Sequence, residues 1–314
     1  MRQFLYKISI YILAILLLAY LLELFISRQL NHGFRYHFQA DWHDLKHHNA
    51  DVLIVGNSRV WVQFDPFLIQ NKTGLATEIL SQEGQSVDLL WLKFKAYLKV
   101  NHDPKYLLLQ FDPFFLTPRT DLYDFDNFST CFFWIRNFDM RSLSPKDGYH
   151  WYYRYIPLTA IRMPLLKKII SNDTVASPES YRNTKGFKKM NFTWKGNWQR
   201  PDYFLCKNIS HYADSFYYYC KAHKIELHAV YSPQSFPSYL KTLNKESVIA
   251  YHNQLNIKTN SNFVYHDFTK FNLYNDSTLF YNHSHLNTKG VCVFMNQLLN
   301  DTSVFRSSVK ALRN

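Results

Sequence analysis

The sequence predicts an α/β protein in which a parallel sheet is flanked by helices as a three-layer sandwich, behind one N-terminal transmembrane helix. Three observations predict it. Short, almost wholly apolar runs recur along the body, as fully buried strands require. Segments with apolar residues at helical spacing stand between them. Strands alternating with helices build parallel sheets through right-handed crossovers.

The first element is the anchor. Ile8 to Ile26 is nearly all Leu, Ile, Ala, Tyr and Phe, broken only by Ser9 and Glu23. At about 1.5 Å per residue this run rises roughly 28 Å, close to the hydrocarbon thickness of a bilayer. A cleaved leader has a shorter apolar region and a small-residue cleavage site. Here the run ends in Phe25-Ile26-Ser27-Arg28-Gln29, so residues 1–30 are expected to stay as an anchor. Arg2 and Lys7 precede the span, while Arg28, Arg35 and Lys46 come after it. The charge bias is therefore weak, and the body is expected outside because a first anchor usually exports the chain behind it. Leu89 to Val100 is interrupted by Lys93, Lys95 and Lys99 and is no second span.

Residues 31–50, rich in His and aromatics, form a connector, and 51–314 form the body. Asp51 to Val55 reads as a buried strand ending at Gly56. Residues 65–73 read as a short helix with Asp65 as N-cap and Pro66 at its first position. Residues 86–100 place Val87, Leu90, Trp91, Phe94 and Leu98 on one helical face, with the lysines elsewhere. Tyr106 to Phe111 is a second strand, 202–223 a long helix, Glu226 to Tyr231 a third strand, Phe263 to His266 a fourth, and Gly290 to Leu299 a final helix. Residues 117–200 break the alternation. Their many prolines, aromatics and basic residues mark an insertion, with a helix expected within Tyr152 to Ile170.

Composition narrows the function classes. A chain that is 47% hydrophobic is too apolar for disorder. Its 8 glycines exclude collagen-like and glycine-linker readings. The net charge of +12 spreads along the chain, through Lys167, Lys168, Lys185, Lys188, Lys189, Arg306, Lys310 and Arg313. For an exported body, an acidic glycan or anionic lipid surface is a better partner than nucleic acid. Cys131, Cys206, Cys220 and Cys292 contain no C-x-x-C pair, so a zinc ribbon is not expected. No cofactor signature is present.

Two segments carry chemistry. In Val55-Gly56-Asn57-Ser58-Arg59 a serine stands just after a buried strand, at a strand-to-helix turn. That puts its hydroxyl at the carboxyl edge of the sheet, with backbone N–H groups nearby to hold an oxyanion. Position 60 is Val, so this is not a G-x-S-x-G elbow. The second segment is Phe280 to Gly290, with His283 and His285. A general base must reach the serine, and its other nitrogen needs an orienting acceptor. His285 with Asn282 behind it meets that need. Asp267 and Asp276 are alternative orienters. A weaker reading is a metal site made of His283 and His285 with His43, His47 or His48.

G-N-S-R at 56–59 and N-H-S-H-L-N-x-x-G at 282–290 resemble the first and last blocks of the SGNH/GDSL hydrolase superfamily. Leu80 to Ser86 is similar to its second block, and the flavour is that of the membrane-anchored bacterial subgroup linked to acylation of cell-surface polymers. The resemblance implies Ser58 as nucleophile, His285 as base and Gly84 as an oxyanion N–H donor. It also implies an inner-membrane protein with a periplasmic body that removes or transfers acyl groups, foremost acetyl, on a glycan. Two positions depart. Asn282 stands at the triad Asp, and Gln110-Phe111-Asp112 stands where the third block is Gly-x-Asn, so an ionised Asp112 at the oxyanion position would repel the charge. The chain is then either a slow or dyad-type enzyme, or a degenerate glycan-binding or assembly protein of the envelope. Arg59 fits an anion contact or an ion pair, Asp112-Pro113 a strand-ending turn, and Tyr231-Ser232-Pro233 a pocket lining.

Overall fold

Five strands form the central sheet of the computed structural model, which describes residues 1–33, 48–81, 83–118, 156–158, 184–195, 203–204, 211–269, 275–301 and 303–305. The chain divides into two compact units. One is Met1–Asp44 with Thr120–Ser180, the other Leu45–Arg119 with Tyr181–Asn314.

In the first unit, helix α1 (Arg2–Gly33) runs unbroken. Its stretch Arg2–Ile26 is long and apolar enough to cross a membrane, and none of it is buried in the protein. The helix expected within Tyr152 to Ile170 and most of the insertion lie outside the described residues.

The second unit holds the sheet. Its elements are β1 (Val52–Gly56), α2 (Ser58–Gln63), α3 (Pro66–Thr73), β2 (Thr77–Ser81), α4 (Val87–Leu98), β3 (Tyr106–Gln110), α5 (Pro113–Leu116), β4 (Tyr203–Phe204), α6 (His211–His223) and β5 (Glu226–Tyr231). After these come α7 (Phe236–Leu240), β6 (Thr242–Leu243), α8 (Glu246–Thr259), β7 (Val264–Asp267), a 3-10 turn (Ser277–Leu279), β8 (Phe280–Asn282), β9 (His285–Leu286) and α9 (Thr288–Asn300). The main sheet has the order β2-β1-β3-β5-β7, with every pair parallel. Strand β1 pairs with β2 on one side and β3 on the other, so the winding reverses beside it. In such sheets the crevice at the carboxyl ends next to the reversal is where ligands bind.

Side chains alternate along each strand, so both faces need cover. On one face Val52, Ile54, Tyr106, Leu108 and Val230 belong to a core shared with Phe64, Phe268 and Phe294. Helix α9 packs there against α2 and α3, and Phe64 meets Phe294 edge-on at 5.1 Å. On the other face Leu53, Val55, Leu107 and Leu109 are equally buried. There α6 packs against α4 and α8, with Phe94 5.2 Å from Phe216 and Phe111 5.9 Å from Tyr217.

The four strands expected from apolar runs are present, and the structure corrects several details. Strand β2 and helix α8 stand where no element was expected. The long helix expected over 202–223 is described as helix only from His211, and Tyr203–Phe204 pairs with β6 instead. Lys93, expected off the apolar face, is fully buried, and its Nζ donates to Ser81 O at 2.7 Å. Residues 184–195, expected within the insertion, belong to the sheet unit. Cys220 is buried and free, and Cys292 is exposed and free. Cys131 and Cys206 lie outside the described residues.

Candidate active site

The carboxyl end of β1 sets the first side chain. Gly56 packs so tightly on β3 that a Cβ there would collide with Val60 and lie 2.5 Å from Gln110 Oε1. Close approach is what the glycine provides, since Gly56 is not among the positive-φ residues. The chain then enters α2 directly. Asn57 is its N-cap, and Asn57 Oδ1 accepts from Arg59 N at 3.1 Å. Asn57 N in turn donates to Gln110 Oε1 at 2.9 Å. Ser58, the first residue of α2, is partly exposed, whereas Arg59, Val60, Val62 and Gln63 are buried.

The second side chain comes from the β8–β9 hairpin. His285 Nε2 lies 2.8 Å from Ser58 Oγ, and its Nδ1 lies 2.9 Å from Asn282 Oδ1. That oxygen also accepts from Ser284 N and His285 N, both at 3.0 Å. Two backbone donors therefore fix the carboxamide with its oxygen towards the ring. The ring takes the tautomer with Nδ1 protonated, leaving Nε2 to accept the serine proton. Ser284 Oγ stands 3.0 Å from the same Nδ1. Tyr281 stacks on the imidazole with centroids 5.3 Å apart.

The expected alternative orienters, Asp267 and Asp276, are engaged elsewhere. Asp267 Oδ1 accepts from Thr269 N at 2.9 Å, and Asp276 Oδ1 from Thr278 N at 2.9 Å. His283 is buried, and its carbonyl accepts from Ser235 Oγ at 2.6 Å. His48 Nδ1 lies 3.7 Å from Glu78 Oε2, and His43 and His47 fall outside the described residues.

Asp112 presents no donor, which corrects its place among the oxyanion residues. It is fully buried and caps α5, accepting from Phe115 N at 3.0 Å. Its other oxygen accepts from Gln110 Nε2 at 2.5 Å and pairs with Arg59 at 3.3 Å. Arg59 also donates to Gln234 Oε1 at 2.5 Å. The carboxylate is thus neutralised by a buried guanidinium, and both ions have hydrogen-bond partners, as a desolvated pair needs. Gly84 stands in the turn after β2 with φ +68°, a conformation glycine adopts without strain. Register places that turn beside the end of β1 that leads into Ser58, because Ser81 pairs with Gly56.

Three groups were missed from sequence. Gln63 Nε2, at the far end of the helix that begins with Ser58, donates to Ser284 O at 3.0 Å and Pro233 O at 3.1 Å. It ties α2 to the histidine hairpin. Gln110 fixes Asn57, and its place at the end of a strand was a usable signal. Asn57 Nδ2 is buried with no hydrogen-bond partner among the described residues, a donor on the residue before Ser58. No protein-family model matches the chain, and a search of curated proteins finds no match.

Proposed function

We propose that the protein is an SGNH-type serine esterase or O-acyltransferase, anchored in the inner membrane by α1, whose extracytoplasmic body acts on acyl esters of a cell-surface glycan, foremost acetyl. The observation that carries this reading is the hydrogen-bonded chain from Ser58 Oγ through His285 to Asn282 at the sheet edge beside the winding reversal. Ser58 Oγ attacks the acyl carbonyl carbon while His285 Nε2 takes its proton. The bond to the alcohol oxygen then breaks, and that oxygen receives the proton from His285. Water or a second hydroxyl, deprotonated by the same nitrogen, collects the acyl group.

The backbone N–H groups of Ser58 and Gly84 serve as oxyanion donors, and Asn57 Nδ2 joins them. The family's first block carries Asp and its third block Asn; here Asn57 and Asp112 have exchanged those types. The side-chain donor lost at 112 is thus regained at 57. The variant Asn57→Asp keeps the helix cap and removes the donor. It is expected to lower kcat about 10²-fold, with partial recovery when Asp112→Asn is added. An Asn57→Asp rate equal to wild type would remove this residue from the oxyanion site.

A single-turnover assay with a chromogenic acetyl ester tests the whole reading. Hydrolysis is expected from the wild type, and an unchanged rate in Ser58→Ala sinks the assignment. The neutral Asn282 favours one rival, a glycan-binding module without turnover. Inertness towards acetyl donors, with saturable glycan binding that survives Ser58→Ala, would select it.

A further inference from the structure

Residues 184–195 run as an irregular strap along the site. Lys185 O accepts from Ile79 N of β2 at 3.1 Å, and Lys188 N donates to Trp61 O of α2 at 2.9 Å. Met190 O accepts from Thr288 N at the start of α9 at 2.8 Å, and Trp194 N donates to Phe280 O of β8 at 2.7 Å. The strap therefore touches both the helix that begins with Ser58 and the hairpin that carries His285. Phe187 is buried and anchors it in the core.

Its composition is one-sided. Thr184 to Lys195 holds Lys185, Lys188, Lys189 and Lys195 and no acidic residue. Of the acids on the elements it touches, Asp65 caps α3, Asp276 caps the 3-10 turn, and Glu78 of β2 faces His48, with Oε2 3.7 Å from His48 Nδ1. Lys185 donates to Gln70. Lys188 behaves differently. Its ammonium lies 4.4 Å from the centroid of the Trp61 ring, and it has no carboxylate partner among the described residues. Ser58 and Trp61 are the two side chains of α2 that stay outside the core. Three residues apart, they share one face of the helix, about 4.5 Å of rise from each other. A cation is thus held over an aromatic ring one turn from the nucleophile.

We propose that Lys188 over Trp61 is a charge-reading subsite that selects esters whose alcohol part carries a negative charge, while the acyl carbon sits at Ser58. This rests on the serine-esterase reading above. The ring holds the ammonium in place without neutralising it, so an anion of the substrate is its counter-charge. A carboxylate and a phosphate satisfy it alike.

The full chain in detergent is assayed with three acetyl esters of matched leaving-group acidity whose alcohol parts are neutral, carboxylate-bearing and phosphate-bearing. Wild type is expected to show about fivefold higher kcat/KM for the charged esters, falling as salt rises. Lys188→Gln is expected to abolish that preference and keep the neutral-ester rate within about twofold, and Lys188→Arg to retain it. Equal kcat/KM for neutral and charged esters in wild type, or a preference that survives Lys188→Gln, overturns the proposal. A preference for only one of the two anions identifies the group read. If no ester turns over, the esterase reading fails by itself. Titration calorimetry of Ser58→Ala with the three free alcohols then decides the subsite: tighter binding of the charged ones, lost in Ser58→Ala/Lys188→Gln, supports it, and equal binding overturns it.

Discussion

Among the described residues of the sheet unit, two histidine relays are built on opposite plans. In the open one, His285 has a serine on one side and a carboxamide on the other. The closed one is a chain of four groups: Glu226 Oε1 lies 3.1 Å from His228 Nε2, His228 Nδ1 lies 2.9 Å from His266 Nε2, and His266 Nδ1 lies 3.1 Å from Asp301 Oδ2. His228 is fully buried on β5, stacked against Tyr106. The closed relay has a carboxylate at each end and no nucleophile. The open relay has the serine hydroxyl, the proposed nucleophile, and no carboxylate. An acid beside a histidine is thus a structural device in the closed relay, and the proposed chemistry goes instead with the partly exposed hydroxyl at the sheet edge.

Variants that exchange properties between the relays sharpen this contrast. The largest effect is expected from Ser58→Ala, a loss of roughly 10³-fold or more in ester turnover. Asp301→Asn, by contrast, is expected to leave turnover within about twofold. If both changes affected turnover equally, the division of labour would be wrong. Next comes Gln63→Leu, which cuts the tie between the nucleophile helix and the hairpin. It is expected to lower kcat about tenfold or more with KM nearly unchanged, because a displacement of the base by a fraction of an ångström is enough.

Asn282→Asp gives the open relay the acid that the closed one already has. A carboxylate stabilises the imidazolium formed as Ser58 attacks, and about a tenfold rise in single-turnover rate is expected. No change would mean that orientation, already fixed by two backbone donors, is all the position supplies.

The smallest effect is on stability. Burial, with the nearby His228 adding to it, lowers the pKa of His266 despite its contact with Asp301. Burial likewise pulls His252 down to about 4, where it meets Tyr217 OH at 2.6 Å. Both sites bind fewer protons folded than unfolded. Their contribution is therefore complete above about pH 6.5 and is lost as the pH falls towards 4. Denaturant midpoints measured between pH 7.5 and 4.5 should decline, and His252→Leu should flatten the decline. A midpoint independent of pH over that range would contradict it.

The sheet was legible where strands are continuous apolar runs, as at Val52–Gly56 and Tyr106–Gln110. Thr77–Ser81 was missed because Thr, Glu and Ser leave only Ile79 and Leu80 as signal. Helix α8 was missed for a related reason. Its buried stripe is Val248, His252, Leu255 and Thr259, helical in spacing but half polar in type. Ser58, His285 and Asn282 were legible as short motifs. Gln63 and Gln234 were not, because a glutamine acquires meaning only from partners that lie 221 and 175 positions away.

Ser58 and His285 of the open relay are separated by 227 positions. A chain emerging from the ribosome has its apolar N-terminal helix and its serine long before its histidine. Closing so large a loop contributes nothing until β1, β3, β5 and β7 have been laid side by side. On the proposed reading the serine is accordingly unactivated until then, and the appearance of ester turnover would time the last step of folding rather than the first.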